Sequence, residues 1–276
     1  GADIRPDNSF NYSWRVRVWD ETDTPSEWSS EAKFRAVPER LSSGQWIGAI
    51  TRQNAHLPEG RKFHGGELKK PEVKAAWEAV DTLAKKSICL RRTFQVGDAK
   101  EGGANRKPGK KIVEATAYVC GLGFYEFSLN GKKMGNSEFA PLWSDYDKTV
   151  YYNTYDVTEQ LRRGENVVGI LLGNGFYNVQ GGRYRKLQIS FGPPTLLFEL
   201  VINYEDGTST TLRSDNEWKY DFSPVTFNCI YGGEDYDARR EQKGWNQIGF
   251  DDSHWRPVVI QEAPKGILRP QMAAPV

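Results

Sequence analysis

The chain has 276 residues, of which 37 are Lys or Arg and 36 are Asp or Glu, so its formal net charge is only +1. This near-neutral balance excludes the strongly basic class of nucleic-acid-binding and anionic-membrane-binding proteins, and we expect neither nucleic acid nor membrane as a partner. Aromatic residues make up 13% of the chain and Gly and Pro are plentiful, which is typical of many strands joined by tight turns.

Cysteine and histidine usage sets further limits. The three cysteines, Cys89, Cys120 and Cys229, are far apart and odd in number, so we expect small buried hydrophobes and no disulfide framework. No His lies at zinc-ligand spacing from a Cys or another His, and no run of apolar residues is long enough for a membrane span. The opening Gly-Ala-Asp has the look of a trimmed start, so the lack of a signal peptide is uninformative.

Residues 10–36 predict a β-hairpin. Apolar and polar residues alternate from Tyr12 to Val18, as in a half-buried strand, and residues 20–25 predict a turn. The pattern resembles the last two strands of a fibronectin type III module, and we assign residues 1–38 to the end of such a module. Because a lone hairpin is marginal in water, we expect it to pack on the rest of the chain, to stay partly loose, or to complete its module from residues outside this sequence.

One helix and a long series of strands follow. Apolar residues at helical spacing predict one short helix near 72–84, within an irregular insertion at 51–86. Strand-like alternation then dominates. The clearest predicted strands are residues 87–96, 113–119, 125–129, 149–155, 166–172, 196–204, 208–213 and 218–220. Strands of this number and alternation predict an all-β fold, an antiparallel jelly-roll sandwich.

One hairpin within the stretch 117–155 is especially well marked. Tyr125, Phe127 and Leu129 fall on one face of a strand, and Asn130-Gly131 follows at once. Asn-Gly is the strongest short hairpin signal, because both central residues of a type I′ turn need positive φ. The sequence therefore predicts a two-residue turn at this dipeptide.

Three loops combine aromatic rings with hydrogen-bonding groups: residues 130–147, 172–177 and 232–239. Flat apolar faces beside oxygen acceptors are what sugar recognition needs. The candidates for carbohydrate contact are Trp143, Asp145, Tyr146, Asn174, Phe176, Tyr177 and Arg239. The alternative for the first loop is a buried sandwich edge with its connecting segment.

The third loop has four competing interpretations, because it places three carboxylates and an Arg within a few residues. Glu234, Asp235 and Asp237 are candidates for holding Ca²⁺, a hard cation that takes carboxylate and carbonyl oxygens, although no complete calcium-loop motif is present. Glycosidase chemistry needs two carboxylates flanking one bond, and neighbours in an extended loop point apart. Direct sugar contact is the third interpretation, and a structural corner in which Arg239 or Arg240 pairs with these acids is the fourth.

Six segments, in order along the chain, resemble the N-terminal β-sandwich domain of bacterial α-L-rhamnosidases. The resemblance covers about residues 87–276, and the flanking Trp46 segment fits too. The segments are GLGFYEFSLNGKKMG, APLWSDYDKTVYYNTYDVT, GENVVGILLGNGFY, LLFELVINYEDGT, IYGGEDYDAR and GWNQIGFDDSHWRPV. On this basis we assign residues 39–276 to a single sandwich domain of galactose-binding-like character.

The resemblance carries expectations about function. The family places its hydrolytic acid and base on a downstream (α/α)₆ barrel, which this sequence lacks, so we expect no catalytic residues here and no activity of the chain itself. In some relatives this or a related sandwich binds L-rhamnose with Ca²⁺. The Trp usual in the family's Gly-Asn-Gly-Trp-Tyr stretch is Phe176 here, which still offers a flat face.

Three functions therefore compete. The first is a non-catalytic region of an α-L-rhamnosidase that supports the catalytic domain of the same polypeptide and weakly binds L-rhamnose-containing glycans. The second is a purely structural spacer without a ligand, and the third is an autonomous hydrolase. A pocket in which aromatic faces and carboxylates converge would favour the first over the second. We favour a periplasmic or secreted location over a cytoplasmic one.

Overall fold

The computed structural model describes residues 10–36, 41, 44–58, 62–97, 110–180, 183 and 187–273. The chain divides into two compact units, residues 1–43 and residues 44–276. The predicted boundary between residues 38 and 39 lies outside the described residues, so the assignment of domains stays a prediction.

The first unit is a β-hairpin. Strands β1 (Phe10–Trp14) and β2 (Ala32–Ala36) pair antiparallel, and the two chain segments stay linked toward the turn, where Val18 O accepts from Ser26 N at 2.8 Å. The guanidinium of Arg17 lies over the ring of Trp28 at 4.6 Å. The hairpin predicted for residues 10–36 is therefore present, and its kinship with a fibronectin type III module stays a prediction.

The second unit contains the remaining strands. In chain order they are β3 (Ile47–Gly48), β4 (Lys62–His64), β5 (Ile88–Val96), β6 (Ile112–Leu122), β7 (Tyr125–Leu129), β8 (Lys132–Lys133), β9 (Thr149–Asp156), β10 (Gly164–Leu172), β11 (Asn178–Val179), β12 (Leu187–Ser190), β13 (Thr195–Tyr204), β14 (Ser209–Arg213), β15 (Lys219–Phe222), β16 (Val225–Cys229), β17 (Gly233–Tyr236), β18 (Arg256–Pro257), β19 (Val259–Ile260) and β20 (Ile267–Pro270).

Two large sheets form an antiparallel sandwich, as the sequence predicts. One sheet has the strand order β18-β15-β5-β10-β7-β8, and the other has the order β19-β3-β13-β6-β9-β20 with β14 added beside β13. The pairing of β20 with β9 is parallel. Smaller sheets are formed by β11-β12-β4 and by the hairpin of β16 and β17.

The core lies between the two sheets. Phe127 on β7 meets Phe198 on β13 edge to face at 5.7 Å between ring centroids, and Phe198 meets Trp218 at 5.3 Å. All three side chains are almost fully buried. Burial of such large rings is the main stabilising term, since each removes a large apolar area from water.

The Asn130-Gly131 turn is confirmed. Asn130 has φ of 53° and Gly131 has φ of 85°, and the flanking residues Leu129 and Lys132 are paired across the hairpin. Positive φ at both central residues is what a type I′ turn requires.

The helix is shorter than the predicted range 72–84. Helix α1 spans Pro71–Glu78, and a separate 3₁₀ turn spans Thr82–Lys85. The break occurs because the carboxylate of Asp81 accepts a hydrogen bond from Leu83 N and caps the second turn on its own. Val73 and Trp77 pack with Ala55 and Ala84 in a small apolar cluster. No helix in the described parts of the chain has the length and apolar character needed to cross a bilayer.

The loop at 245–252 covers the outer face of the six-stranded sheet. Arg91, Gly169 and Ser128 lie side by side on β5, β10 and β7. Arg91 is buried and pairs with Asp252 at 2.8 Å, and Ser128 Oγ accepts from the amide of Asn246 at 3.1 Å. A Cβ at Gly169 would lie 2.7 Å from the Cβ of Asn246, so only glycine lets the loop approach this closely.

Candidate functional site

The loops that carry Trp143 and Phe176 meet at one rim of the sandwich. Trp143 is 63% exposed, and its ring lies 5.6 Å from the ring of Phe176 at an interplanar angle of 40°. Phe176 also meets Tyr231, at the turn of the β16–β17 hairpin, at 6.3 Å. Phe176 therefore contacts the Trp143 loop on one side and, on the other, Tyr231, the residue directly before the third loop.

A cleft of about 530 Å³ opens beside these rings. Its walls come from the start of β7, the segment at 138–139, the end of β10 with the glycines that follow, and the β16–β17 hairpin. The polar groups that line it include Glu126, Glu138, Ser87, Asn228 and Glu234. Its aromatic lining comes from Phe124, Tyr125 and Phe139, whereas the rings of Trp143, Phe176 and Tyr231 lie beside it.

A row of four rings runs along this rim, from Phe139 through Phe124 and Phe176 to Trp143. Successive ring centroids are 5.4, 6.1 and 5.6 Å apart. The two ends, Phe139 at 59% and Trp143 at 63%, are well exposed, whereas Phe124 and Phe176 are half-buried. The row thus presents two open aromatic faces separated by a supporting pair.

Two carboxylates of the cleft are held by one ammonium. Lys133 Nζ donates to Glu126 at 3.1 Å and to Glu138 at 2.9 Å. The hydrogen bond to Glu138, followed by that to Glu126, raises the pKa of Lys133. The ammonium therefore fixes the two carboxylates beside each other at the wall of the cleft.

The predicted acidic loop lies on the β16–β17 hairpin and just after it. Glu234 is exposed and lines the cleft, whereas Asp235 pairs with Arg183. Asp237 accepts from Arg239 Nε at 2.8 Å and lies 3.4 Å from Arg240 Nε. The hydrogen bond from Arg239 lowers the pKa of Asp237 to about 2.

These contacts are those expected of an ion-pair corner. Among the described residues, no group of three or more His, Cys, Asp or Glu side chains is placed to hold a metal ion. The calcium assignment to Glu234, Asp235 and Asp237 gains no support from the geometry and stays a prediction. Arg239 is occupied by Asp237 and does not line the cleft.

Tyr146, Tyr177 and Asn174 do not reach the cleft. Tyr146 and Tyr177 are buried, and their rings meet edge to face at 5.1 Å. Burial raises the pKa of Tyr146. Both rings line a separate small crevice of about 100 Å³ with Arg52. They hold the base of the Trp143 and Phe176 loops in place and leave the exposed contacts to other rings.

Asn174 is a structural link. Its side chain donates to Lys85 O at 2.9 Å and accepts from the amide of Asn178 at 2.8 Å. Its backbone N donates to Asn228 Oδ1 at 2.8 Å, which ties the Phe176 loop to the β16–β17 hairpin. Asp145 is exposed and pairs with Lys148 at 3.1 Å, at the turn before β9.

Five residues that line the cleft were not among the candidates for carbohydrate contact, although Phe139 and Glu138 lie in the loop 130–147 that the sequence marked: Phe124, Phe139, Glu126, Glu138 and Asn228. Phe139 has φ of 53°, a left-handed backbone conformation that is uncommon for phenylalanine and cannot be predicted from the sequence around it. Tyr231 precedes Gly232-Gly233, and that glycine pair was a usable signal for a close turn carrying an exposed ring.

The comparisons with known proteins agree with one another. Residues 110–276 match the family described as Alpha-L-rhamnosidase N-terminal domain. The chain is 36% identical over 251 residues to an α-L-rhamnosidase of Formosa agariphila, an alignment covering 88% of this chain and 24% of that protein. The chain thus spans about a quarter of the length of the curated relatives it matches.

Solved structures show the same likeness. The α-L-rhamnosidase from Dictyoglumus thermophilum superposes with a TM-score of 0.69 at 30% identity, over 96% of this chain and 26% of that one. The native α-L-rhamnosidase from Aspergillus terreus superposes with a TM-score of 0.71 at 26% identity, over 95% of this chain and 26% of that one.

Proposed function

The chain belongs to the family of α-L-rhamnosidase N-terminal domains, and from this premise we propose that it serves a full-length α-L-rhamnosidase as a non-catalytic accessory region. It binds a terminal L-rhamnose of the glycan substrate and supports the catalytic domain of the same polypeptide. The alternative is a spacer that binds nothing.

The observation that carries the proposal is the exposed ring of Trp143 against Phe176, beside a cleft lined by Asn228 and Glu234. The C–H face of a sugar packs on an aromatic ring, while amide and carboxylate oxygens accept from its hydroxyls. L-Rhamnose is a deoxy sugar with a methyl group, which gains from the apolar edge of Phe176.

The same geometry supports a non-catalytic role. Glycoside hydrolysis needs one carboxylic acid that donates a proton and a second carboxylate that acts as nucleophile or base. Glu126 and Glu138 share the ammonium of Lys133, so they do not form a separated pair on opposite sides of one bond. Of the other acids in this region, Asp235 and Asp237 are paired with arginines.

Calorimetric titration of the chain with L-rhamnose tests the proposal. The expected Kd is about 0.1–1 mM, since a single small sugar makes few buried contacts. Trp143→Ala should weaken binding about tenfold. Trp19→Ala removes an equally exposed indole from the first unit and serves as the matched control, with affinity unchanged.

Two results would overturn the proposal. If the folded wild-type chain shows no heat with L-rhamnose at 10-fold above the expected Kd, roughly 10 mM, the spacer alternative is favoured. If Trp143→Ala binds as tightly as the wild type and folds normally, the sugar site lies elsewhere. Hydrolysis of an aryl rhamnoside by the purified chain would contradict the non-catalytic part.

A further inference from the structure

We propose that the exposed ring of Trp143 and the cleft beside it together hold two consecutive sugar units of a neutral glycan, and that the cleft discriminates against a uronic acid in the second position. This inference rests on the proposed function, because it assigns the terminal rhamnose to the Trp143 end. It adds a second subsite at the Phe139 end and names the class of glycan that fits there.

The first step is the size of the cleft. Its volume of about 530 Å³ falls within the range of about 300–1,000 Å³ that pockets for drug-sized ligands occupy. A single deoxyhexose is much smaller than such a ligand, whereas a disaccharide is comparable. A site built for one rhamnose would leave most of this space to water.

The second step is the spacing of the aromatic faces. Phe139 and Trp143 are the two well-exposed ends of the ring row, and the half-buried rings of Phe124 and Phe176 lie between them. The exposed faces therefore belong to rings at the two ends of a series of contacts, with two other rings between them. Each offers a separate stacking surface, and Phe124 joins them because it lines the cleft and contacts both Phe139 and Phe176.

The third step is that each face has its own hydrogen-bonding groups. Near the Phe176 loop, Asn228 and Glu234 line the cleft. Next to Phe139 in sequence lies Glu138, which shares Lys133 with Glu126. Carboxylates fixed by an ammonium are preorganised acceptors for the hydroxyls of a second sugar.

The fourth step is the charge of the lining. Three carboxylates line the cleft, those of Glu126, Glu138 and Glu234. Lys133 forms ion pairs with the first two. In the part of the chain that the structure describes, Glu234 has no ion-pair partner. The excess of negative charge repels an anionic sugar, so a neutral second unit is favoured and a glucuronic acid is disfavoured.

The experiment compares three ligands by calorimetry on the full chain: L-rhamnose, a neutral disaccharide with a terminal α-L-rhamnose, and a disaccharide with the same terminal rhamnose linked to glucuronic acid. The neutral disaccharide should bind about tenfold more tightly than L-rhamnose. The acidic one should bind more weakly than the neutral one at low salt, and the gap should narrow as salt screens the cleft.

Two variants assign the second subsite. Phe139→Ala should reduce the ratio of disaccharide to monosaccharide affinity to near one, whereas Trp143→Ala lowers both affinities. Glu138→Gln should reduce the difference in affinity between the neutral and the acidic disaccharide. Glu159→Gln, an exposed acid on the 3₁₀ turn Thr158–Gln160, is the matched control and should leave that difference as it is.

The outcomes separate this inference from the proposed function. If none of the three ligands binds, the proposed function fails, and the second subsite with it. If L-rhamnose binds and the neutral disaccharide binds no more tightly, the second subsite is wrong while the proposed function stands. If the acidic disaccharide binds as tightly as the neutral one at low salt, the charge discrimination is wrong.

Discussion

The side-chain amide of Asn130 donates a hydrogen bond to Oδ1 of Asn166 at 2.9 Å, which joins the tip of one hairpin to the neighbouring strand. The same amide donates to Gln160 O at 3.0 Å, and Oδ1 of Asn130 accepts from Val167 N at 2.9 Å. Asn130 therefore does more than adopt the positive φ of the turn. It fixes where β7 lies along β10.

The first prediction concerns this residue. Asn130→Ala should lower the free energy of unfolding by about 2–4 kcal/mol, because it leaves buried partners unpaired and puts an alanine at positive φ. Asn130→Gly loses the same side-chain hydrogen bonds, but glycine adopts a positive φ without strain. Its free energy of unfolding should therefore be about 1 kcal/mol higher than that of Asn130→Ala. Urea denaturation measures both, and equal stabilities of the two variants would contradict the backbone part of the argument.

Local signals made much of the fold predictable. The strand Tyr125–Leu129 and the Asn130-Gly131 turn depend on alternation and on one dipeptide, so the sequence contains all that is needed to place them. The helix was predicted too long because the pattern of apolar residues continues past Glu78 to Ala84, while Asp81 caps a new turn between them. The spacing of apolar residues stays helical across the end of α1, so it does not reveal that the helix ends there.

The site was only partly predictable. The sequence marked the loops of Trp143 and Phe176 by their composition, and the structure brings the two rings to 5.6 Å. Tyr146 and Tyr177 come from the same loops and are buried, because alternate residues of an irregular loop face opposite ways and sequence gives no period to assign them. Phe139 lies in the marked loop 130–147 but was not chosen as a candidate, because its place beside the cleft depends on a positive φ set by the surrounding fold.

The second prediction concerns the clamp between Arg91 and the loop at 245–252. Besides Asp252, the guanidinium of Arg91 donates to Trp245 O, Gln247 O and Phe250 O, each at 3.3 Å. Arg91→Lys keeps the charge but loses the planar fork, and should cost about 2–4 kcal/mol. Hydrogen exchange should quicken first in residues 245–252, and uniform acceleration over the whole chain would show that the residue does not act through this loop.

Gly169→Ala offers an independent test of the same clamp. The added methyl would lie 2.7 Å from both the Cβ of Asn246 and Oγ of Ser128, so the loop must move outward. We expect a loss of about 1–3 kcal/mol, typical of overpacking. Gly207→Ala is the control. Gly207 lies in an exposed turn, has φ of 78°, and has no atom within 4 Å of where a Cβ would be, so alanine there causes backbone strain without a steric clash. Comparing the two variants separates the cost of backbone strain from the cost of overpacking.

The third prediction concerns thiol reactivity. Cys89 is 4% exposed and Cys120 is fully buried, and burial raises the pKa of both thiols. A raised pKa keeps the unreactive protonated form up to alkaline pH. Neither thiol should be alkylated by iodoacetamide at pH 8 in the native chain, and both should react at once in urea. Peptide mapping identifies the labelled sites, and rapid native labelling of Cys120 would contradict the buried position of β6.

The last prediction uses the corner at Asp237 to decide between an ion pair and a calcium site. The hydrogen bond from Arg239 lowers the pKa of Asp237 to about 2 from its ordinary value of 3.8. A carboxyl whose pKa is lowered by folding stabilises the native state above its unfolded pKa, and that contribution is lost as the pH falls toward 2. A carbon-detected NMR titration should therefore place the midpoint of Asp237 near 2.

Arg239→Ala should move that midpoint upward, toward 3.8, because the largest cause of the shift is removed. Arg162→Ala removes an exposed arginine elsewhere in the second unit and should leave the midpoint unchanged. If the corner is an ion pair, millimolar Ca²⁺ leaves the Asp237 signal of the wild type in place, because the cation would have to displace two guanidinium groups to reach the carboxylate. A calcium-dependent shift of Asp237 together with Asp235 would contradict the ion-pair corner and restore the metal assignment made from the sequence.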